Sequence, residues 1–431
     1  MSGETLGEPD AGVVRTDPSG GVDPIKSGFP FSKLSVTPLL LSAFTATTCL
    51  GRGLDATRDA LRSNRSGLKP CRFETVELDT WIGEVADVDA QRLPAALASH
   101  DCRNNRLTQM GLETDGFADR VREAVVRYGR TRVGVFLGTS TAGILQTELA
   151  YRRRDPVSGA LPDDFVYRHT HNAFSLAEFT RDYFGLEGMA MAISTACSSS
   201  AKVFAAAARQ LALGTIDAAI VGGVDTLCLT TLYGFASLQL TSSQPCRPYD
   251  VARDGISIGE GAAFGLLERA PRPEPGAVLL MGVGESSDAY HMSAPHPQGL
   301  GARMAMEAAL RSAGIGADAV DYINLHGTAT PANDAAEGLA IQALFGDRAP
   351  CNSTKGATGH TLGAAGAVGA VICALALTDG QLPGSPGTQV LDPTLPIRYQ
   401  THSVAAPVRR ALSNSFGFGG SNCSLVLGVA A

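Results

Sequence analysis

Short apolar runs alternate with helix-forming stretches along nearly the whole chain, and this alternation constrains the fold more than any other feature. The segments "TRVGVFLGTS" (Thr131–Ser140) and "DAAIVGGVDT" (Asp217–Thr226) have the continuous apolar pattern of strands covered on both faces. Between them, "SSSAKVFAAAARQLALG" predicts a helix that ends at Gly214. The alternation predicts an α/β protein with parallel layers, in which ligands bind beyond the carboxyl ends of strands.

The Pro-rich stretch "APRPEPG" separates two predicted α/β halves at about residue 274. Residues 31–274 form the first half and residues 275–431 the second, and no sequence repeat relates them. Residues 1–30 are polar and rich in Gly, Pro and Asp, so we expect a disordered tail. This tail lacks the cationic start and apolar run of a signal peptide.

Charge and cysteine usage exclude several classes of protein. The net charge of −7 gives no support for a nucleic-acid partner. Nine cysteines occur without a Cys-x-x-Cys pair, so we expect no disulfide framework and no zinc site, and a reducing cytoplasm fits best. The most apolar stretch, Leu362–Leu377, is shorter than the ~20 residues of a membrane span, so it predicts a buried core helix.

Cys197 is the first candidate for chemistry, in "AISTACSSSAKVF". It lies where a predicted strand gives way to a helix. The N–H groups and partial positive charge at a helix N-terminus favour a thiolate, which predicts a lowered thiol pKa and a nucleophile. The alternative is a small, buried and inert cysteine.

Two histidines, a lysine and a glutamate form a second group of candidates. His326 follows a predicted strand in "NLHGTATPANDAAE", and His360 precedes the buried helix in "NSTKGATGHTLGAAGAVG". Glu337 and Lys355 lie between them, where a buried lysine and a carboxylate would tune or position the histidines. Taken alone, each histidine also fits an ordinary loop position, and the lysine and glutamate also fit a surface ion pair.

The loop "NSFGFGGSN" (Asn414–Asn422) carries three glycines between two predicted strands. Glycine permits close approach of the backbone, so an N–H group here is a candidate for an oxyanion hole, and a plain tight turn is the alternative. No helix follows the loop, so a dinucleotide site is not expected, and motifs of the EF-hand, HExxH, Walker A and GxSxG types do not occur.

Four separated motifs together carry a family resemblance: "TACSSS", "HGTATPANDAAE", "KGATGHTLGAAG" and "NSFGFGG", with "RPYDVARDG" and "GEGA" as a fifth. Over about residues 34–429 the chain resembles the β-ketoacyl-acyl carrier protein synthases of the elongating type, the condensing enzymes of fatty acid and polyketide assembly. The resemblance implies a thiolase fold, a five-layered αβαβα sandwich of two similar α/β halves, and a homodimer. It implies neither a bound cofactor nor a metal.

The resemblance also implies roles for the candidates. Cys197 matches the residue that accepts the acyl chain as a thioester. His326 and His360 match the pair that assists decarboxylation of malonyl-carrier protein, and Lys355 matches a lysine that pairs with a glutamate, here Glu337. The expected reaction is a decarboxylative Claisen condensation that gives a 3-ketoacyl-acyl carrier protein.

Further positions follow from the same motifs. The backbone N–H groups of Cys197 and Phe418 match the oxyanion hole, and Phe416 and Phe418 lie in what resembles the gating loop. Thr328 and Thr330 match threonines that contact the phosphopantetheine arm of the carrier protein.

Particular residues separate this chain from related enzymes. Chain-initiating synthases carry asparagine in place of the second histidine, here His360. Degradative thiolases use a C-terminal cysteine as base, but Cys423 lies in "GGSNCSL", which does not match that motif and predicts a structural role. Chain-length factors lack the nucleophile, so Cys197 favours a catalytic chain.

Two departures from the family pattern leave the substrate open. The opening segment "KLSVTPLLLSAFTATTCLG" and residues 97–130 match poorly, so fatty acid, polyene and polyketide-like synthesis all remain possible pathways. The alternatives are a ketosynthase subunit that needs a chain-length-factor-like partner, or that non-catalytic partner itself. A thiolase that works toward cleavage is a third reading, with little support from the sequence.

Docking of an acidic carrier protein onto a net negative chain requires a local basic patch. Ordinary solvated charge is the alternative for any single one of these side chains. The candidates are Arg62, Arg65, Lys69, Arg152 and Arg247, with Arg72, Arg153 and Arg154 beside them.

Overall fold

An 11-stranded mixed sheet organises the fold. The computed structural model describes residues 37–269 and 272–431, so the predicted tail at residues 1–30 and the start of the predicted opening strand lie outside the described residues. The strands are β1 (Leu39–Thr48), β2 (Gly51–Arg52), β3 (Lys69–Pro70), β4 (Trp81–Gly83), β5 (Val133–Gly138), β6 (Ala190–Ile193), β7 (Ala218–Asp225), β8 (Ile258–Gly259), β9 (Gly261–Arg269), β10 (Val278–Ser287), β11 (Tyr322–Asn324), β12 (Cys351–Asn352), β13 (Gln381–Leu382), β14 (Val404–Ala405), β15 (Arg410–Gly417) and β16 (Ser421–Val429).

Helices cover the outer faces of this sheet and fill the space between its two halves. Short 3₁₀ turns add to them at Ala95–His100, Tyr167–His169, Ala317–Ala319, Leu362–Ala364 and Phe418–Gly420. The α-helices are α1 (Gly53–Arg62), α2 (Arg103–Leu112), α3 (Phe117–Tyr128), α4 (Ile144–Arg152), α5 (Ser175–Tyr183), α6 (Ser199–Leu213), α7 (Leu229–Ser237), α8 (Leu300–Ala313), α9 (Pro331–Phe345), α10 (Lys355–Thr358) and α11 (Ala365–Asp379).

Two halves of the sheet repeat one topology that the sequence does not reveal. The strand order is β6-β5-β7-β9-β1 in the first half and β12-β11-β15-β16-β10 in the second. In each half the first three strands are parallel, and the fourth runs antiparallel to both neighbours. The expectation of parallel layers therefore does not hold for β9 and β16. For β16 the reason is its short connection to β15, which only an antiparallel neighbour allows.

The layers are stacked as helix, sheet, helix, sheet, helix. Helices α2, α3 and α5 pack on the first half of the sheet, and α8 lies on the second half with α9 against it. Helices α6 and α11 lie between the halves and contact strands of both. This arrangement confirms the predicted five-layered αβαβα sandwich.

The middle layer depends on small residues. A Cβ at Gly366 of α11 would lie 2.5 Å from the backbone nitrogen of Ala201 in α6, so the two helices touch without a side chain between them. The segment Leu362–Asp379 is long and apolar enough to cross a membrane, but 83% of it is buried inside the protein. It is therefore placed as the core helix that its Ala and Gly content predicts.

Replacement of Gly366 by Ala tests this contact. The added methyl group forces the two helices apart, and we expect a loss of about 1–3 kcal/mol in the free energy of unfolding. The control is Gly234→Ala in α7, where a Cβ meets no atom within 4 Å and the gain is about 0.5–1 kcal/mol. Denaturant unfolding measures both, and equal stabilities for the two variants would contradict the packing described.

Candidate active site

Cys197 lies on a tight turn between β6 and α6 and is 5% exposed. The preceding residue, Ala196, has a left-handed φ of 52°, which redirects the chain from the strand into the helix. The Ser199 hydroxyl donates to the Ala196 carbonyl at 2.6 Å and accepts from the Thr195 N–H at 2.9 Å. The serines around Cys197 thus satisfy backbone groups that the turn leaves unpaired.

His360 faces Cys197 directly, with 3.1 Å between its Nε2 and the cysteine Sγ. A short backbone bridge fixes its position. The His360 N–H donates to the Ser257 carbonyl at 2.7 Å, and the Gly259 N–H donates to the His360 carbonyl at 2.9 Å. The backbone of His360 is therefore held by Ser257–Gly259, the segment that leads into β9.

His326 completes a buried group of three. Its ring lies edge-on to the His360 ring, with 5.3 Å between the ring centres and 82° between their planes. One ligating atom of each of Cys197, His326 and His360 lies within 4.8 Å of the others, so these donors could also hold a metal ion. The sequence candidates therefore meet at one point although they are far apart along the chain.

Lys355 and Glu337 hold the backbone of His326 from opposite sides. The Glu337 carboxylate accepts from the N–H groups of His326 and Gly327 at 2.8 and 2.7 Å, and from the Asn414 amide at 3.0 Å. The Lys355 ammonium donates to the His326 carbonyl. The expected direct Lys355–Glu337 pair was wrong, because each charged group binds the intervening peptide instead of the other.

Burial shifts the pKa of His326, His360 and Cys197 in the direction that favours the neutral form of each side chain. Desolvation, then the Lys355 charge, lowers the pKa of both His326 and His360 well below the usual value. Desolvation raises the pKa of Cys197 to about 11, although Lys355 and the Phe418 N–H act in the opposite direction. The predicted lowering of the thiol pKa was wrong, because lost hydration outweighs the Lys355 charge and the nearby backbone N–H groups.

The glycine-rich loop closes over the sulfur. The backbone N–H groups of Phe418 and of Cys197 itself lie close enough to the Cys197 sulfur to lower the pKa of its thiol. The centre of the Phe418 ring lies 5.5 Å from that of Phe235, and the centre of the Phe416 ring lies 5.8 Å from that of His326. Two N–H donors and two aromatic rings therefore surround the side chain that the motifs single out.

Cys197, His326 and His360 line a cavity of about 260 Å³. Thr328 and Thr330 also line it, and their hydroxyls are 2.9 Å apart. The remaining wall is largely apolar and comes from both halves of the chain. It includes Phe235, Leu240, Ile256, Ala294, Pro295, Pro331, Phe416 and Phe418.

Comparisons with known proteins agree with this geometry. Residues 40–272 match the model of the β-ketoacyl synthase N-terminal domain, and residues 277–389 match that of the C-terminal domain. The chain belongs to the β-ketoacyl synthase family. As a β-ketoacyl synthase it is an acyltransferase, and curated relatives are named 3-oxoacyl-[acyl-carrier-protein] synthase 2.

Three similar proteins illustrate the relationship. The synthase 2 of Rhizobium meliloti (strain 1021) is 41% identical over 56% of this chain and 61% of its own length. The synthase 2 of Coxiella burnetii (strain RSA 493 / Nine Mile phase I) is 32% identical over 90% of this chain and 98% of its own. A ketosynthase (ApeO) solved in complex with its chain length factor (ApeC), from Xenorhabdus doucetiae, has 39% identity and a TM-score of 0.83 over 91% of this chain and 98% of its own.

Asp225, at the end of β7, is a residue of this synthase that the sequence reading missed. It is fully buried, and its carboxylate accepts from the N–H groups of Ser140, Thr141 and Gly363, the last at 2.6 Å. It therefore joins the loop after β5 to the turn that follows His360. A single acid at the end of an otherwise apolar strand is the signal that could have found it.

Three of the five main docking candidates (Arg62, Arg65, Lys69, Arg152 and Arg247) already have acidic neighbours. Arg65 is exposed, and Arg247 is half-buried. The ion pairs of the others are Arg62–Asp379 at 3.1 Å, Lys69–Glu84 at 2.8 Å and Arg152–Glu74 at 3.7 Å. A carrier protein docking there would compete with these contacts, so their use in docking stays a prediction.

The raised pKa of Cys197 predicts a steep pH dependence of its alkylation. Because a thiol with a pKa of about 11 is protonated near neutrality, the iodoacetamide rate at Cys197 should rise about tenfold per pH unit between pH ~7 and ~10. Peptide mass spectrometry measures the rate at this site. A plateau near neutral pH would instead mean a preformed thiolate–imidazolium pair.

Asp225→Asn tests the positioning of His360. The asparagine amide places an N–H donor where the Asp225 carboxylate accepted hydrogen bonds from backbone N–H groups. The repulsion between donors shifts the turn that follows His360, and we expect turnover to fall about 100-fold. The control is Asp217→Asn, at the other end of β7, where Asp217 pairs with the half-exposed Arg132 at 2.7 Å. If Asp225→Asn keeps its activity, or if the pH profile of alkylation at Cys197 is unchanged, the positioning role is excluded.

Proposed function

We propose that the chain condenses an acyl group held on Cys197 with malonyl-acyl carrier protein, and releases a 3-ketoacyl-acyl carrier protein and carbon dioxide. The observation that carries the proposal is the meeting of one thiol and two neutral imidazoles in the wall of one largely apolar cavity. A nucleophile, hydrogen-bond donors and a water-poor space are what the two half-reactions require.

In the first half-reaction, the Cys197 sulfur attacks the carbonyl carbon of an acyl thioester. His360, 3.1 Å away, takes the thiol proton and passes it to the departing carrier thiol. The N–H groups of Cys197 and Phe418 stabilise the negative charge on the former carbonyl oxygen. The product is an acyl thioester on Cys197, with the carrier released as a free thiol.

In the second half-reaction, the malonyl group loses carbon dioxide, and its thioester oxygen becomes an enolate. His326 and His360 donate hydrogen bonds to this oxygen without losing a full proton, because burial keeps both rings neutral. The enolate carbon then attacks the carbonyl carbon of the Cys197 thioester, and the bond from that carbon to the sulfur breaks. The Cys197 thiolate that leaves is reprotonated by the one proton that the overall reaction takes up from solvent. Lys355 and Glu337 act on this step through the His326 backbone that they hold.

The carrier protein delivers both substrates on its phosphopantetheine arm. Thr328 and Thr330 support this assignment, since their hydroxyls lie in the cavity wall. Phe416 and Phe418 are the rings whose movement would open the space around Cys197. Among the predicted docking cations, Arg152 contacts Glu74 and Thr75, beside the Tyr233 hydroxyl of α7, and α7 supplies Phe235 to the cavity.

A second chain of the same fold is the proposed stable partner. Strand β6 ends the first half of the sheet, and Met189 and Met191 there are 40% and 36% exposed. Such an edge favours pairing with another chain. The 39% identical ketosynthase solved with its chain length factor favours a heterodimer over a homodimer. The contact between the Cys197 sulfur and His360 Nε2 favours the assignment of this chain as the catalytic subunit and not as its non-catalytic partner.

The cytoplasm is the proposed location. All nine cysteines are free thiols in the structure, and most of them are buried. A reducing compartment preserves the thiol that the reaction needs.

Intact-protein mass spectrometry after incubation with a panel of acyl-carrier proteins tests the function. We expect an acyl adduct on the wild-type chain and on the control Cys228→Ala, which removes a buried thiol outside the cavity wall. Cys197→Ala should carry none. The chain is assayed alone and with any chain that copurifies with it, so that a need for a partner is detected.

An adduct that persists in Cys197→Ala would overturn the proposal. So would the absence of any adduct on the wild-type chain in both the isolated and the partnered forms. The chain lengths of the adducts identify the preferred primer.

A further inference from the structure

A second cluster of metal-ligating side chains lies outside the active site. His100 ends the 3₁₀ turn Ala95–His100, His169 ends the turn Tyr167–His169, and Glu178 lies in the first turn of α5. One ligating atom from each lies within 4.8 Å of the other two. Within residues 37–269 and 272–431, the only other group that meets this distance is that of Cys197, His326 and His360.

The two imidazoles leave buried nitrogen atoms without partners. Their rings are stacked, with 4.6 Å between the ring centres and 16° between the planes. His100 is 4% exposed, and the Nδ1 atoms of both histidines are buried and lack a hydrogen bond in the described part of the chain. Buried polar atoms rarely stay unpaired, because each one costs about 1–3 kcal/mol.

Asn105 of α2 holds both histidines in place. Its side-chain amide donates to the His100 carbonyl at 2.9 Å, to the His169 carbonyl at 3.4 Å and to the Ser175 hydroxyl at 3.1 Å. Ser175 in turn donates to the His169 carbonyl at 2.5 Å. Two turns about seventy residues apart in sequence are therefore fixed against each other before any ligand binds.

Two carboxylates lie beside the histidines, and one oxygen of Glu178 is left for a metal ion. Arg168 and Arg181 contact Glu178 through its Oε1 at 3.0 and 3.8 Å, and Oε2 accepts no hydrogen bond from the described residues. Asp182 lies 3.9 Å from the His100 Nε2. A metal-binding histidine commonly directs its other ring nitrogen to a carboxylate, and a ligating carboxylate is itself hydrogen-bonded.

We propose that His100, His169 and Glu178 bind a divalent transition-metal ion of the zinc class, with solvent in the fourth position. Two imidazoles and one carboxylate are a donor set that suits zinc. Tetrahedral coordination brings the ligating atoms to roughly 3.4 Å from one another. Because the two rings are stacked with 16° between their planes, their in-plane lone pairs reach one ion only after a ring rotates out of the stack. The ion joins the turn before α2, the turn before α5 and α5 itself, so its binding would stabilise these elements against one another.

The test uses the full-length chain, with its partner if one copurifies, in the Cys197→Ala background. This background removes the thiolate that would bind zinc at the active site. After incubation with zinc and dialysis, we expect one zinc ion per chain by elemental mass spectrometry and a raised melting temperature, because the ion binds only the folded state. Adding His169→Ala or Glu178→Gln should weaken zinc binding by more than about 10-fold.

A matched control and a spectroscopic probe separate this site from other binding. His402→Ala removes an exposed histidine outside the cluster and should leave the zinc affinity unchanged. Cobalt(II) at the proposed site gives a tetrahedral spectrum without the thiolate charge-transfer band that marks Cys197. Circular dichroism checks that Glu178→Gln, which preserves side-chain volume, stays folded. Failure of the Cys197→Ala chain to retain zinc, or an equal affinity after His169→Ala and Glu178→Gln, would overturn the proposal.

Discussion

The close packing of α6 against α11 is the constraint on which the rest of the structure depends. Cys197 lies just before α6, and His360 lies just before α11. The helices touch at their first turns, where Gly366 meets Ala201 and the Ala367 N–H donates to the Ser200 hydroxyl at 2.9 Å. The N-terminal turns of α6 and α11 are in direct contact. The small residues at this contact therefore determine how closely the Cys197 thiol and the His360 imidazole approach each other.

The repeated topology explains why the site forms between the halves. Strands β6 and β12 have the same position in the two halves, and Cys197 and His360 lie in the connections that follow them. The carboxyl ends of β5 and β11 are equivalent in the same way. His326 follows β11, and the loop after β5 is the one that Asp225 ties to the His360 turn. Each half therefore contributes equivalent loops to one cavity, which is where parallel strands place ligands.

Particular residues show how much of the site the sequence predicts. The motifs identified Cys197, His326, His360 and the Phe418 loop, because a turn that carries chemistry needs a fixed pattern of Gly, Ser and Thr. They did not identify Asp225, since an isolated acid has no spacing that reveals its partners. The lowered Cys197 pKa and the Lys355–Glu337 ion pair were wrong for a shared reason. Both depend on hydration and on which atoms lie within hydrogen-bond distance, and a linear pattern encodes neither.

The sequence by itself determined the alternation of strands and helices, the buried Ala- and Gly-rich helix before Asp379, and the residue types available for thioester chemistry. These follow from local periodicity and from turn geometry, which neighbouring residues set. Only the tertiary structure decided the antiparallel strands, the two-sided hold on the His326 peptide and the stacking of His100 on His169. Such contacts join residues far apart along the chain, and the shared loss of solvent that accompanies folding sets the charges of the groups involved.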